Sequence, residues 1–262
     1  MKMIKSVTEK DLSSVRFKNC SYLFYKGMRS ENIDELCSII DDSCEDFSYF
    51  YSGGVSAKLT TLPYFNTSNG INFSDFCSSS YITELPHYDT SKGEKFSNFI
   101  CSTKIKELPL FNVGNGINFT NFLLSNSELT EIPSFDFKNA QNMSYAFGSC
   151  TKLTSIPLID LGKCTNISGL VSNCKALTNL GGFKDLGKSY KTSSSASYSY
   201  YKLDLSSCTN LTHDSLMNVI NNLYDIKTLG CKTQSLTLGS TNLAKLTEDE
   251  IAIATNKGWA VS

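Results

Sequence analysis

Apolar side chains return along this chain at a fixed interval. Leu59, Ile82, Ile105, Leu129, Leu153 and Leu177 form one row, and Leu62, Leu85, Leu108, Ile132, Ile156 and Leu180 follow three residues later. Three further on come Phe65, Tyr88, Phe111, Phe135, Ile159 and Phe183. A fourth row is Phe73, Phe96, Phe119, Met143 and Ile167; a fifth is Phe76, Phe99, Phe122, Ala146 and Leu170. The prolines keep the same beat: Pro63, Pro86, Pro109, Pro133 and Pro157 are spaced 23, 23, 24 and 24 residues apart, and Gly181 stands where a sixth would fall. One such unit cannot cover its own apolar surface, so neighbours must stack. The predicted fold class is an α/β repeat solenoid, a right-handed coil with one parallel sheet of roughly eight or nine short strands.

Polar positions sharpen the unit. Each phrase (LTTLP, ITELP, IKELP, LTEIP, LTSIP) alternates apolar and polar residues, which fits a short strand with proline at its exit. The phenylalanines spaced by three predict a turn of helix on the opposite arc. Gly70, Gly93, Gly116, Ala140 and Cys164 share one position, read as a tight corner. Asn72, Asn118, Asn142 and Asn166 (with Lys95 departing) and the row Asn66, Asp89, Asn112, Asp136 and Asp160 read as side-chain caps of backbone groups. A calcium row is the competing reading of the last set, but the glycine- and aspartate-rich nonapeptides of calcium solenoids are absent.

The organisation predicted is a single solenoid domain over 1–262. Residues 1–18 form an N-terminal cap and 19–187 the repeats, with NCSYLF (19–24) parallel to NMSYAF (142–147) and IDELC (33–37) parallel to LTTLP. A Ser/Tyr-rich insertion occupies 188–202, and atypical repeats with a C-terminal cap run over 203–262. In that last part Leu216, Val219, Ile220 and Leu223 predict a helix opened by Thr212 or Asp214. SLTLGSTNL (235–243) reads as a final strand. Thr247 and Glu250 read as a capping box, Gly258 as a helix stop, and Trp259 with Val261 as the cover of the open end.

NMSYAFGSCTKLTSIP (142–157) closely resembles the repeat of BspA-type leucine-rich-repeat surface proteins, with its AF, C and LxxI elements. FNTSNGINFSDF and FDFKNAQNMSYAF resemble related repeats of bacterial surface proteins. The resemblance covers 19–187 and returns at Leu203. Cys37, Lys95, Gly181 and the insertion depart from it. It implies a leucine-rich-repeat-like coil with 23–24-residue rungs, a role in adhesion, and no family-wide catalytic residue. Similar repeats occur in bacteriophage, where host attachment is the natural role.

Charge and cysteine narrow the class. A net charge of −1 with 19% charged residues gives no basic stripe for nucleic acid. No run of 18 apolar residues exists, so no membrane insertion is expected. The start, MKMIKSVTEKDLSSVRF, lacks the apolar core of a signal peptide. Export by another route, a removed leader, or action at the place of synthesis all fit. The expected location is the cell surface, the medium or a virion, with the cytoplasm as alternative. Of the ten cysteines, Cys150, Cys174 and Cys208 each precede a repeat leucine by three, the buried corner of leucine-rich repeats. Free buried thiols are expected, with no metal and no cofactor, since no CxxC occurs and His87 and His213 lack paired ligands. No phosphate loop or nucleophile elbow appears, and His87 reads as a face residue rather than a base.

Two binding surfaces follow. The first is the outer face beside the prolines: Thr61, Tyr64, Glu84, His87, Glu107, Leu110, Glu131, Ser134 and Ser155. Its stacked Glu84, Glu107 and Glu131 suit a basic peptide or cation, or are simply a solvated face relieved by Lys106. The second is the insertion, where Tyr190, Tyr198, Tyr200 and Tyr201 combine aromatic area with adaptable serines; a flexible linker is its alternative. The expected partner is a protein or glycan on a cell surface, bound without catalysis; an intracellular interaction scaffold or inhibitor is the second reading.

Overall fold

The computed structural model describes residues 16–26, 33–53, 59–190 and 202–262. In chain order the regular elements are helix α1 (Ile33–Ser38), strands β1 (Ser155–Ile156), β2 (Ile159–Asp160), β3 (Asn179–Leu180), β4 (Phe183–Lys184) and β5 (Leu203–Asp204), helix α2 (His213–Asn222), strand β6 (Gln234–Thr237), helices α3 (Gly239–Leu243) and α4 (Glu248–Asn256), and strand β7 (Trp259–Val261).

Backbone pairing repeats with the sequence. Asp46, Asn72, Lys95, Asn118, Asn142 and Asn166 are joined one to the next by parallel bridges. The proline phrases are bridged in parallel too, at Thr61–Glu84 and Glu131–Ser155. β1 then pairs with β3, and β2 with β4, both in parallel. At the C-terminal end β6 lies between β5 and β7.

The pairing is more broken than the single sheet expected from the phrases: among the described residues there are three small sheets and isolated bridges. Proline is the cause. In the unit where Gly181 replaces it, the glycine N–H donates to the Ile156 carbonyl at 2.9 Å, and a two-residue strand pair forms there. Pro86, Pro109, Pro133 and Pro157 have no N–H to offer at that step.

The arc that follows each Asx position is not the expected turn of helix. Its alternate N–H groups all reach forward to the next unit: Phe73 to the Lys95 carbonyl at 2.9 Å, Asp75 to Ser97 at 2.8 Å, Cys77 to Phe99 at 3.0 Å and Ser79 to Cys101 at 2.7 Å. Asp75 (φ 56°) and Ser79 (φ 51°) are left-handed, as are Tyr22, Tyr49, Asn98, Asn121 and Tyr145 at the first of these positions. Donors used between units are not available within a helix. The segment 33–37 departs in the other direction. It is helical, with Asp34 and Glu35 in the first turn, where carboxylates favour the helix dipole.

The five apolar rows are buried, except that Leu59 and Leu108 are partly so. Rings stack in register along two columns. In the first, Phe47, Phe73, Phe96 and Phe119 lie 5.5, 5.6 and 5.4 Å apart with planes within 8° of parallel. In the second, Phe76, Phe99 and Phe122 are 5.6 and 5.5 Å apart. Within a unit the two columns meet edge to face, as Phe96 and Phe99 do at 82°.

These rings, rather than a corner, account for the glycine row. A Cβ on Gly70, Gly93 or Gly116 would run into the ring edge of Phe73, Phe96 or Phe119. Where that ring becomes Met143 or Ile167, the partner becomes Ala140 or Cys164.

The Asx rows cap backbone as expected. Asn72 Oδ1 accepts from Ser74 N at 3.1 Å, and Asn142 Oδ1 from Ser144 N at 3.0 Å. In the other row Asp89 accepts from Ser91 N at 2.9 Å and Asp160 from Gly162 N at 3.0 Å. The corner cysteines cap carbonyls of the preceding unit: Cys150 donates to Leu123 at 3.1 Å, Cys174 to Phe147 at 3.0 Å and Cys208 to Val171 at 3.4 Å. Burial pushes the Cys150 thiol up to about 12 and the Cys208 thiol up to about 11. Cys20 and Cys44 differ, with sulfurs in mutual contact at 2.9 Å.

Thr212 caps α2, and Thr247 with Glu250 forms the capping box of α4. The expected final strand over 235–243 is split. Gln234–Thr237 is strand, but Gly239–Leu243 turns into α3, and the last strand is Trp259–Val261. Gly239 at φ 74° makes that break. Trp259 is buried and donates its indole N–H to the Tyr224 carbonyl at 3.0 Å.

Two outcomes test this packing. Gly93→Ala should destabilise by ~1–3 kcal/mol through overpacking. Because the clash is with Phe96, the same change in a Phe96→Met background should cost less, with a coupling of ~1 kcal/mol in urea denaturation. Additivity of the two changes would show that the ring does not exclude a Cβ. The thiols of Cys150, Cys174 and Cys208 should react slowly in the folded chain and appear on denaturation without reductant. Mass mapping that finds these three in disulfides contradicts the corner assignment.

Candidate functional site

The residues expected beside the prolines share one surface. Thr61, Tyr64, Glu84, His87, Glu107, Leu110, Glu131 and Ser134 are exposed, and Ser155 is half-buried. The parallel bridges place Thr61 beside Glu84 and Glu131 beside Ser155. One residue after each proline runs a second row: Tyr64, His87, Leu110, Ser134 and Leu158. Its apolar members stand well out, Tyr64 at 68%, Leu110 at 56% and Leu158 at 51% exposure. Leu158 was not among the expected residues, although its place after Pro157 marks it in the sequence. His87 Nε2 donates to the Leu110 carbonyl at 2.7 Å, so its ring braces neighbouring units. Glu128 is held below the usual carboxylate range first by its bond to Lys152 at 2.7 Å, with Lys104 and Lys106 adding to it.

The insertion is placed only in part. Tyr198, Tyr200 and Tyr201 lie outside the described residues. Tyr190 is a correction: it is 5% exposed, with its ring 5.9 Å from that of Trp259. Gly187, at φ 102°, turns the chain inward, and the Tyr190 N–H returns to the Gly187 carbonyl at 3.0 Å. Tyr190 is therefore part of the C-terminal packing and not an exposed anchor.

A third region was not foreseen. Tyr145, Ser168, Gly169, Ser172, Asn173, Lys202, Asp204, Ser206 and Ser207 line a cleft of about 540 Å3. It lies between the last arc of the regular repeat and the Lys202–Ser207 segment. Burial opposes the charge on Asp204, yet bonds from Ser206 (N at 3.0 Å, Oγ at 2.6 Å) and the Lys202 ammonium at 3.0 Å hold its carboxyl below the usual range. Only the interruption of the period at 188–202 could have marked this place in the sequence.

Among the described residues no group of three or more His, Cys, Asp or Glu side chains is arranged to hold a metal ion. No helix among them is long and apolar enough to cross a membrane. Comparison with protein-family models, curated proteins and solved structures finds no match to this chain.

Proposed function

We propose that this chain is a non-enzymatic recognition module: a right-handed, leucine-rich-repeat-like solenoid of the BspA type that attaches to a protein or glycan on a cell surface, as an adhesin or a phage attachment protein does. One observation carries the reading. Tyr64, Leu110 and Leu158 are exposed apolar residues in one row, alternating with His87 and Ser134, on units whose backbones are bonded to one another. Aligned exposed apolar side chains beside charged ones mark interaction surfaces more often than scattered ones do. The neighbouring Glu84, Glu107 and Glu131 give the row an acidic border that suits a partner with basic groups.

An intracellular interaction scaffold or inhibitor is the second reading. The ten free cysteines favour it, since disulfides form and persist in oxidising compartments.

Binding of fluorescently labelled protein to a panel of bacterial and animal cells tests the first reading. The parent should bind one cell type saturably. The Tyr64→Ser, Leu110→Ser, Leu158→Ser variant should lose at least roughly tenfold in affinity while keeping its unfolding midpoint, as exposed anchors do. Retention by that variant, with loss in a Tyr198→Ala, Tyr200→Ala, Tyr201→Ala variant, would move the site to the insertion. Absence of binding to every cell type would leave the intracellular reading.

A further inference from the structure

Two of the repeating rows change residue near the N-terminal end, and the two changes touch. Phe47 N–H donates to the Asn72 carbonyl at 2.8 Å, and Cys20 N–H to the Asp46 carbonyl at 3.0 Å. Asp46 and Asn72 are bridged members of one row, so Cys20 holds the ring position of its unit. Cys44 N–H returns to the Asp41 carbonyl at 2.9 Å, as Gly70 N–H returns to Thr67 at 2.7 Å. Cys44 therefore holds the glycine position of the following unit.

That position faces two rings in the regular repeat. A Cβ on Gly116 would run into Phe119 of its own unit and would meet the Phe96 ring of the unit before at 3.0 Å. Cys44 stands three residues before a ring, Phe47, and yet is not glycine. The unit before it presents Cys20 instead of a ring, and the two sulfurs lie 2.9 Å apart. Both residues are buried. A movement of less than ~1 Å brings such sulfurs to the ~2.05 Å of an S–S bond. The corner thiols of Cys150, Cys174 and Cys208 face carbonyls instead. Cys37 is buried at the same end of the chain and is the competing partner.

We propose that Cys20 and Cys44 form a disulfide when the chain folds in the presence of a small-molecule disulfide such as oxidised glutathione, and that this bond locks the first unit to the second. One cysteine thiolate attacks a sulfur of the oxidant, which leaves a mixed disulfide and releases one glutathione thiolate. The other cysteine thiolate then attacks the protein sulfur of that mixed disulfide, the Cys20–Cys44 bond forms, and the second glutathione thiolate leaves. The two thiol protons go to the two glutathione thiolates, and two electrons pass from the cysteine pair to the oxidant. Burial makes folding, or an opening of the end unit, the time at which the oxidant reaches the pair. Terminal units of a stack have one neighbour instead of two, so a cross-link acts most strongly there. The proposal does not depend on what the chain binds.

Refolding the reduced full chain from urea in glutathione buffers tests it, with alkylation of the remaining thiols and mass mapping. Trypsin leaves Cys37 and Cys44 in one peptide, and a second cleavage after Asp and Glu separates them. The bond should join Cys20 to Cys44. It should survive a buffer at least roughly tenfold more reducing when the chain is folded than in urea, because folding holds the sulfurs together. Exchange of the Tyr22 and Phe24 amides, which donate to the Ser48 and Phe50 carbonyls at 2.9 and 2.8 Å, should slow at least roughly tenfold on oxidation. Exchange of the Leu205 amide at the far end should not change. A bond from Cys37 to either residue, persistent glutathione adducts, or equal survival in urea and in the folded chain would each overturn the proposal. The mapped bond with unchanged exchange would overturn the lock. A mapped bond without cell binding sinks surface attachment alone, and cell binding without the bond sinks this proposal alone.

Discussion

Hydrogen bonds that all point the same way along the stack are the constraint on which the rest depends. On each arc the N–H groups at alternate positions reach forward, as those of Phe96, Asn98, Ile100 and Ser102 reach Asn118, Thr120, Phe122 and Leu124. That geometry needs a left-handed residue at every second pair of positions. It explains why Asp75, Asn98 and Asn121 stand in one such column and Ser79, Ser102, Ser125 and Ser149 in another. Asn and Asp are the side chains that tolerate this conformation best after glycine. It also means that no unit is complete without its successor. A free end presents donors with no carbonyl opposite them, and the chain must supply an acceptor there, as Ser207 does for Asn173.

The spacing set by those bonds is what the aromatic columns fill. Ring centroids 5.4–5.6 Å apart with planes within 8° leave no room between units along the Phe73, Phe96, Phe119 column. The same rings exclude a Cβ at Gly70, Gly93 and Gly116, so sequence at one position is tied to packing at another three residues on. Local bonding, core packing and residue choice agree in the central units, which is what a cooperative fold requires. In the sequence the apolar rows lapse at 188–202.

The rows were legible because each repeats in register: Phe73 is buried for the same reason as Phe96 and Phe119. So were the Thr212 cap and the Thr247–Glu250 box, which depend on a few neighbouring residues. What escaped depended on contacts that sequence spacing does not carry. The phenylalanine spacing of three suggested helix, because apolar periodicity does not reveal whether N–H groups bond within a segment or between segments. The phrase at 33–37 looked like its neighbours, yet it is helical, with Asp34 and Glu35 in its first turn. Tyr190 read as exposed from the composition around it, whereas Gly187 turns it onto Trp259. The exposure of the residues beside the prolines was legible almost residue by residue. The cleft was not, since the sequence does not show which side chains meet across the break in the period.

Scalar couplings across hydrogen bonds, measured by NMR between a donor nitrogen and an acceptor carbonyl carbon, test the directional arcs most directly. The account predicts couplings from Asp75 N to Ser97 C′, from Asn98 N to Thr120 C′, from Asn121 N to Ser144 C′ and from Tyr145 N to Ser168 C′, each joining one unit to the next. Couplings from these nitrogens to carbonyls three or four residues earlier in the same unit would instead make the arcs helical, and would contradict the stacking scheme.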